Sequence, residues 1–301
     1  MAPAPAASTD LPPLGILAGG GTLPGQVASA AQAAGRAVFL LGLAGHAEPA
    51  VLAPYPHQII RMGAAGRILA ALRAHHCRDL VLIGAVRRPS LATLRPDAEG
   101  ARLLVRIGRA AFAGDDGLLA AVIRVLGEEG FRVLGAHEIL AAALAPAGLL
   151  SRAAPDAAAA ADIARGIAVA RALGAADVGQ GCVVQEGLVL AVEAVEGTDA
   201  MLARCGPLAR PGPGGVLVKL VKPGQDRRAD LPTLGPATVR AAAAAGLRGI
   251  AFEAGGTLLA DRDATLAAAD AAGLFLLGVD PLAFCLDSGA APVRPPQGET
   301  A

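Results

Sequence analysis

A chain of 301 residues, 54% hydrophobic and 17% charged, holds enough material for two domains of ordinary size, each with its own core. Acidic and basic residues balance at 26 each, and only seven side chains are aromatic, none of them Trp. That removes both the basic field and the stacking platforms of nucleic-acid binders, so no nucleic-acid partner is expected.

The opening MAPAPAASTDLPP has no basic n-region and no apolar h-region, so it reads as a tail and not a signal peptide. From Leu14, LGILAGGGTLPGQVASAAQAAG reads as strand, glycine turn and helix, with Gly35 near the C-terminal cap. Strands are predicted at 37–43, 58–62 and 79–86, with a helix at 63–76. Helices follow at 101–113 and 116–129, broken at GDDG, where Asp115 or Asp116 is placed to cap the second. A strand at 131–134 and a helix opening at AHEIL complete the alternation of a parallel sheet covered by helices. The longest apolar run, 139–150, is interrupted by Pro146 and Gly148 and is too short to span a bilayer. A cytoplasmic protein is expected, and peripheral contact with a membrane surface is compatible with that.

The turn-rich stretch 146–155 marks a domain boundary before an Ala-rich helix at 156–173. Beyond it, CVVQEGLVLAVE reads as two strands joined by Glu186-Gly187 in a tight hairpin. Strands at 215–221, 249–253 and 274–279 and helices at 236–245 and 263–272 then predict an α/β domain with a mixed sheet. The four cysteines, Cys77, Cys182, Cys205 and Cys285, form no CxxC pair and read as reduced core residues. The chain closes on a polar, proline-rich tail.

Gly19, Gly20 and Gly21 lead into a helix, an arrangement that lets backbone N–H groups approach phosphate or simply makes a tight turn. It is neither a dinucleotide fingerprint, since Pro24 stands where the third glycine belongs, nor a Walker A loop, since Gly25 is followed by Gln26 and Val27. A nicotinamide-dependent oxidoreductase is thereby disfavoured. Arg87 and Arg88 end the fourth predicted strand, where open α/β sheets place ligands and where an arginine suits phosphate. His137-Glu138 does not extend to HExxH, and the histidines show no zinc spacing. In EAVEGTDAMLAR, Thr198 is a fair N-cap with Asp199 in the first turn, while Glu193 and Glu196 suit a hydrated Mg²⁺ or sugar hydroxyls. The densest chemistry is KLVKPGQDRRADLPTLG, 219–235: Lys219 and Lys222 suit phosphate, and Asp230 falls in a loop ahead of a helix opened by Pro236.

Taken together, LGILAGGGTLP, AVRRP, GDDGLL, EGFRVLGAHE, DVGQG, AVEAVEGTDAMLAR, KLVKPGQDRRADLPTLG and LFLLGVD resemble the LpxI-type UDP-2,3-diacylglucosamine pyrophosphatases in order and spacing, over roughly 14–281. The resemblance implies Mg²⁺-dependent hydrolysis of UDP-2,3-diacylglucosamine to 2,3-diacylglucosamine 1-phosphate (lipid X) and UMP, in the lipid A pathway of Gram-negative bacteria. It implies a Rossmann-like N-terminal domain, 11–150, and a catalytic C-terminal α/β domain with a mixed sheet, 151–288, with a ligand crevice between them and disordered tails at 1–10 and 289–301. The family's key acid falls on Asp230 by its DLPT context, as catalytic and metal-linked residue, with Glu196 as the second metal candidate. Gly19, Gly20, Gly21, Arg88, Gln180, Gly181, Thr198, Asp199, Lys219, Lys222 and Gln225 become candidate substrate contacts. AVRRP carries Ala85 where the pattern leads one to expect Asn, which removes an amide contact there. The competing reading is a non-catalytic carrier of acylated sugar nucleotides. A homodimer is compatible with either.

Overall fold

A computed structural model describes residues 11–287 apart from 109, 111–113 and 229. The expected tails, 1–10 and 289–301, and the end of the helix expected at 101–113 lie outside the described residues. The chain forms two units, Met1–Ala141 with Asp226–Asp230, and Ala142–Gln225 with Leu231–Ala301. Among the described residues, no helix is long and apolar enough to cross a membrane.

The first unit runs β1 (Leu14–Ala18), α1 (Leu23–Ala33), β2 (Val38–Leu43), α2 (Pro49–Leu52), β3 (His57–Ile60), α3 (Ala65–Ala74), β4 (Asp79–Ile83), α4 (Leu91–Leu94), α5 (Ala98–Ile107), α6 (Asp115–Glu128), β5 (Arg132–Leu134) and α7 (Ala136–Ile139). All its strands pair in parallel, in the order β3-β2-β1-β4-β5. LGILA and VFLLGL are apolar at nearly every position because both faces of a parallel strand are buried. Phe39, Leu41, Leu72, Leu80, Ile123 and Phe131 belong to the core on one side of the sheet. Strand order reverses between β1 and β4, and beyond the carboxyl ends of such neighbours open α/β sheets leave their ligand crevice. Helix α5 starts earlier than periodicity alone indicates, because the Asp97 carboxylate accepts from Gly100 N–H at 2.7 Å and caps it.

The second unit runs β6 (Gly148–Leu149), α8 (Ala157–Ala175), β7 (Gly181–Gln185), β8 (Leu188–Val192), α9 (Gly197–Cys205), β9 (Val216–Lys219), β10 (Thr233–Leu234), α10 (Pro236–Ala244), β11 (Gly249–Glu253), β12 (Leu258–Leu259), α11 (Arg262–Ala272), β13 (Phe275–Val279) and α12 (Pro281–Asp287). Its main sheet has the order β6-β13-β11-β9-β7-β8, and β10 pairs with β12 apart from it. Strands β9, β11 and β13 are parallel; β7 is antiparallel to both its neighbours, and β6 is antiparallel to β13. The carboxyl ends of β8, β9, β11 and β13 therefore share one edge with the amino end of β7.

Alternation along β9 divides the core. Val216 and Val218 pack with Ile163 and Ile167 of α8, while Leu217 packs on the other face with Met201, Leu202 and Phe252. Helix α8 sits close to the sheet at Gly166, where a methyl group would come within 2.4 Å of Val218. The hairpin between β7 and β8 has the two-residue loop its sequence predicts, with positive φ at Glu186 (51°) and Gly187 (76°). The buried Asp162 carboxylate on α8 accepts from both turn amides, at 3.1 Å from Glu186 N–H and 2.7 Å from Gly187 N–H.

Candidate active site

In the first unit, the glycine turn follows β1 directly. Gly19 N–H donates to Ile83 O at 2.9 Å, and Gly20 exchanges hydrogen bonds with Ala85 at 2.8 and 3.0 Å. Two glycines are required by this close backbone approach. A methyl group on Gly19 would lie 2.6 Å from Gly84 O, and one on Gly84, whose φ is +100°, would lie 2.7 Å from Gly20 O. Gly21 N–H donates to the Glu48 carboxylate at 2.9 Å, from the segment just after β2. The three amides that the sequence offered to a phosphate are thus engaged by protein acceptors, as in a tight structural turn. Arg88, beyond β4, donates to Asp115 at 3.0 Å with both side chains partly exposed. Asp115 is not an N-cap: that position is Gly114, which makes no side-chain cap, and both aspartates lie in the first turn, where the helix dipole favours them.

The second unit gathers five of the residues singled out in the sequence, Gln180, Gly181, Glu193, Thr198 and Lys219, at the shared edge of its sheet. Lys219 ends β9 and is only 7% exposed. Its ammonium donates to Thr198 Oγ1 at 2.7 Å, and the Thr198 hydroxyl donates onward to Glu193 Oε1, also at 2.7 Å. Glu193 and Thr198 are buried as well. Glu193 Oε2 and Gln180 Oε1 are buried with no hydrogen-bond partner. The backbone locks the same residues together: Glu193 N–H donates to Gly181 O at 2.8 Å, and Leu220 N–H to Gln180 O at 2.9 Å. Glycine is needed here too, since a methyl group on Gly181 would come within 2.8 Å of Glu193 Oε2, and one on Gly179 within 2.0 Å of Glu193 O. Leaving a carboxylate oxygen unpaired in such a place costs on the order of 1–3 kcal/mol or more, so the cluster is built at the expense of stability.

Thr198 differs in role from its expected one. Helix α9 opens at Gly197 with Glu196 at the N-cap and no side-chain cap, so the Thr198 hydroxyl is spent across the site. Asp199 lies exposed in the first turn of α9. Lys222 pairs with Asp177 at 2.6 Å, and its backbone N–H donates to the Gln225 side chain at 3.1 Å. The Glu253 carboxylate, at the end of β11, accepts from Val221 N–H at 3.1 Å and braces the same segment. Asp177 and Glu253 were not among the residues singled out in the sequence. Asp177 sits in the left-handed region at φ 51° just past α8, a conformation that flags it only once the backbone is known.

Lys219 and Lys222 are the only lysines in the chain; every other basic residue of the 26 is arginine. An ammonium is more compact than a guanidinium and presents a point charge, which suits a buried phosphate contact.

Asp226 is bound by Arg228, at 2.7 and 2.9 Å, and the Arg228 hydrogen bond holds its carboxyl below the ordinary range. Asp230 is exposed, and its N–H reaches Asp226 O at 3.4 Å. Glu196 pairs with Arg204 at 2.6 Å, and this hydrogen bond holds its carboxyl low. Among the described residues, no three His, Cys, Asp or Glu side chains converge as a metal cluster. That donor set does not make a cage of protein ligands for a resident ion. It does fit Mg²⁺ arriving with phosphate, which needs only one or two carboxylates. Cys77, Cys182 and Cys205 are buried and free, and burial pushes the Cys182 thiol up to about 12, far from a reactive thiolate.

Comparison with known proteins bears on the whole folded chain. The family model of the LpxI N-terminal domain matches residues 13–143, and that of the LpxI C-terminal domain matches 146–277. UDP-2,3-diacylglucosamine pyrophosphatase LpxI of Caulobacter vibrioides is 48% identical over 274 residues, covering 89% of this chain and 98% of that protein. A solved structure of Thermus thermophilus UDP-glucose 4-epimerase in complex with NAD covers 93% of this chain and 94% of its own, at 13% identity and a TM-score of 0.31. That similarity is too slight to bear on fold or function.

Proposed function

Because the chain belongs to the LpxI family, we propose that it hydrolyses UDP-2,3-diacylglucosamine to 2,3-diacylglucosamine 1-phosphate and UMP, a step of lipid A biosynthesis. The observation that carries this reading is the 48% identity to a pyrophosphatase over nearly the full length of both proteins. The buried ammonium of Lys219 supports it independently, since hydrolysis of a phosphoanhydride needs charge stabilisation and a positioned water more than a covalent nucleophile.

In the proposed mechanism Lys219 and Lys222 bind the phosphoryl oxygens of the diphosphate and offset the charge that builds on them in the transition state. Water attacks one phosphorus, the bridging P–O bond breaks, and the leaving phosphate departs with that electron pair. Asp230 orients the water and accepts its proton. Mg²⁺ bound with the diphosphate would supply Lewis-acid polarisation of the phosphoryl oxygens, and Asp230 is the residue that would hold it. Glu196 has no step in this scheme, being engaged by Arg204.

The test is release of UMP from UDP-2,3-diacylglucosamine by wild type and Asp230→Asn, with and without divalent metal. Loss of turnover of roughly a thousandfold, with an unchanged melting curve, is expected for a positioned acid of this kind. Full activity in Asp230→Asn would sink the assignment of the acid, and binding without any UMP release by wild type would favour the carrier. Hydrolysis in ¹⁸O-water, with the label read in UMP or in the lipid product, identifies the phosphorus attacked.

A further inference from the structure

We propose that Glu193 is a positioning residue for Lys219, acting through the Thr198 hydroxyl. The inference rests on the proposed reaction for its purpose, although the geometry behind it stands alone. Glu193 directly follows β8, Thr198 lies in the first turn of α9 and Lys219 closes β9, so one line of two hydrogen bonds ties three elements at the same edge of the sheet.

The direction of that line is fixed by chemistry. An ammonium only donates, so Thr198 Oγ1 must accept from Lys219; its single proton is then committed to Glu193 Oε1. The threonine hydroxyl thereby acquires one orientation, and the ammonium is held at one point while its remaining protons stay available to a ligand. A weaker acceptor than a carboxylate at 193, or none, would let the hydroxyl turn and the lysine drift. The glycines preserve the same geometry, because a side chain at 179 or 181 would press on Glu193.

The buried, unpartnered Glu193 Oε2 and Gln180 Oε1 argue against a purely structural role. A carboxylate kept only to hold the fold would be satisfied on both oxygens. Instead this one has a single partner, and that partner leads to Lys219.

That the chain has only two lysines makes the idea directly measurable. Protein labelled with ¹⁵N-lysine shows two side-chain ammonium groups at most. In wild type, Lys219 is expected to give a resolved, slowly exchanging ammonium signal. Glu193→Gln and Thr198→Val are each expected to abolish it while leaving the backbone amide spectrum folded; Thr198→Ser, which keeps the hydroxyl, retains it. A Lys219 signal absent from wild type, or unchanged in folded Glu193→Gln and Thr198→Val proteins, overturns the proposal.

Kinetics supply the second arm. Glu193→Gln and Thr198→Val should each lower kcat for UMP release by roughly 100-fold, as expected for a misplaced catalytic contact, with a much smaller change in KM. The double variant should be no worse than either single one, and Thr198→Ser should recover most of the rate. Independent, multiplying losses would overturn the relay. If wild type releases no UMP, the proposed reaction falls, while the ammonium signals still decide the role of Glu193.

Discussion

Arg36 and Asp79 meet at 2.5 Å with side chains only 6% and 4% exposed, at the amino edge of the five-stranded sheet. Asp79 opens β4 and takes two further hydrogen bonds, both at 2.8 Å, from Arg132, the first residue of β5. Arg36 also donates to Pro12 O at 2.9 Å, just before β1. One carboxylate therefore fastens the start of β4 and β5 to the approaches of β1 and β2, at the end of the sheet opposite the glycine turn.

Burial pushes the Asp79 carboxyl up, but the hydrogen bonds from Arg132 and Arg36 outweigh it and leave the group below its ordinary value. A depressed carboxylate contributes stability above its unfolded pKa of about 3.9 and loses it as pH falls through the lower folded value. Asp79→Asn is accordingly expected to cost about 3 kcal/mol in urea unfolding at pH 7, the range for breaking a buried pair. The gap between variant and wild type should narrow below about pH 4. A gap that is the same at pH 7 and pH 3 would mean the ionised form contributes nothing.

The glycine turn makes a graded prediction. Gly84→Ala combines a strained positive φ with a 2.7 Å clash against Gly20 O, whereas Gly21→Ala, at φ +85°, meets nothing within 4 Å. Gly21→Ala should cost about 1 kcal/mol, the conformational penalty alone. Gly84→Ala should cost about 2–4 kcal/mol, because the backbone pairing of Gly20 with Ala85 must also part. Urea melts with equal slopes would measure both; equal costs would show that the close approach is unimportant.

The lysines make a prediction about chemistry rather than charge. Lys219→Arg preserves the positive charge but forces a planar guanidinium into a slot that is 7% exposed and bounded by Thr198. It is expected to lower kcat for UMP release at least about tenfold. Lys222→Arg keeps its pairing with Asp177, at a position that does not carry the contact with Thr198, and should lose less. Similar rates for the two variants, both near wild type, would mean that any cation suffices at position 219.

Much of the fold was legible because its signals are local. Gly249–Glu253 has the bounds expected from its apolar run, and the Glu186-Gly187 turn has the two positive φ values its residues suggest. The parallel first sheet followed from alternating short apolar runs and helices, but its order β3-β2-β1-β4-β5 is a matter of which strands meet. The short β6, paired with β13, lies in a stretch that reads only as a turn, since two residues carry no periodicity. The site was half legible. Lysines in a bland chain announce themselves, whereas the GQG stretch stands out only through the family resemblance, and Thr198 reads locally as a cap. Its hydroxyl instead serves Lys219, 21 positions away, and a partner at that distance leaves no trace in the spacing. Asp177 is invisible for the same reason: its bond to Lys222 spans 45 positions.

The grouping of Asp226–Asp230 with the first unit has a consequence for dissecting the protein genetically. Neither unit corresponds to one uninterrupted stretch of coding sequence. A fragment ending at Ala141 lacks five residues that belong with it, and a fragment beginning at Ala142 carries them away. A cut at the border between the two family domains therefore assigns the proposed acid, Asp230, to the polypeptide that lacks the unit it packs with.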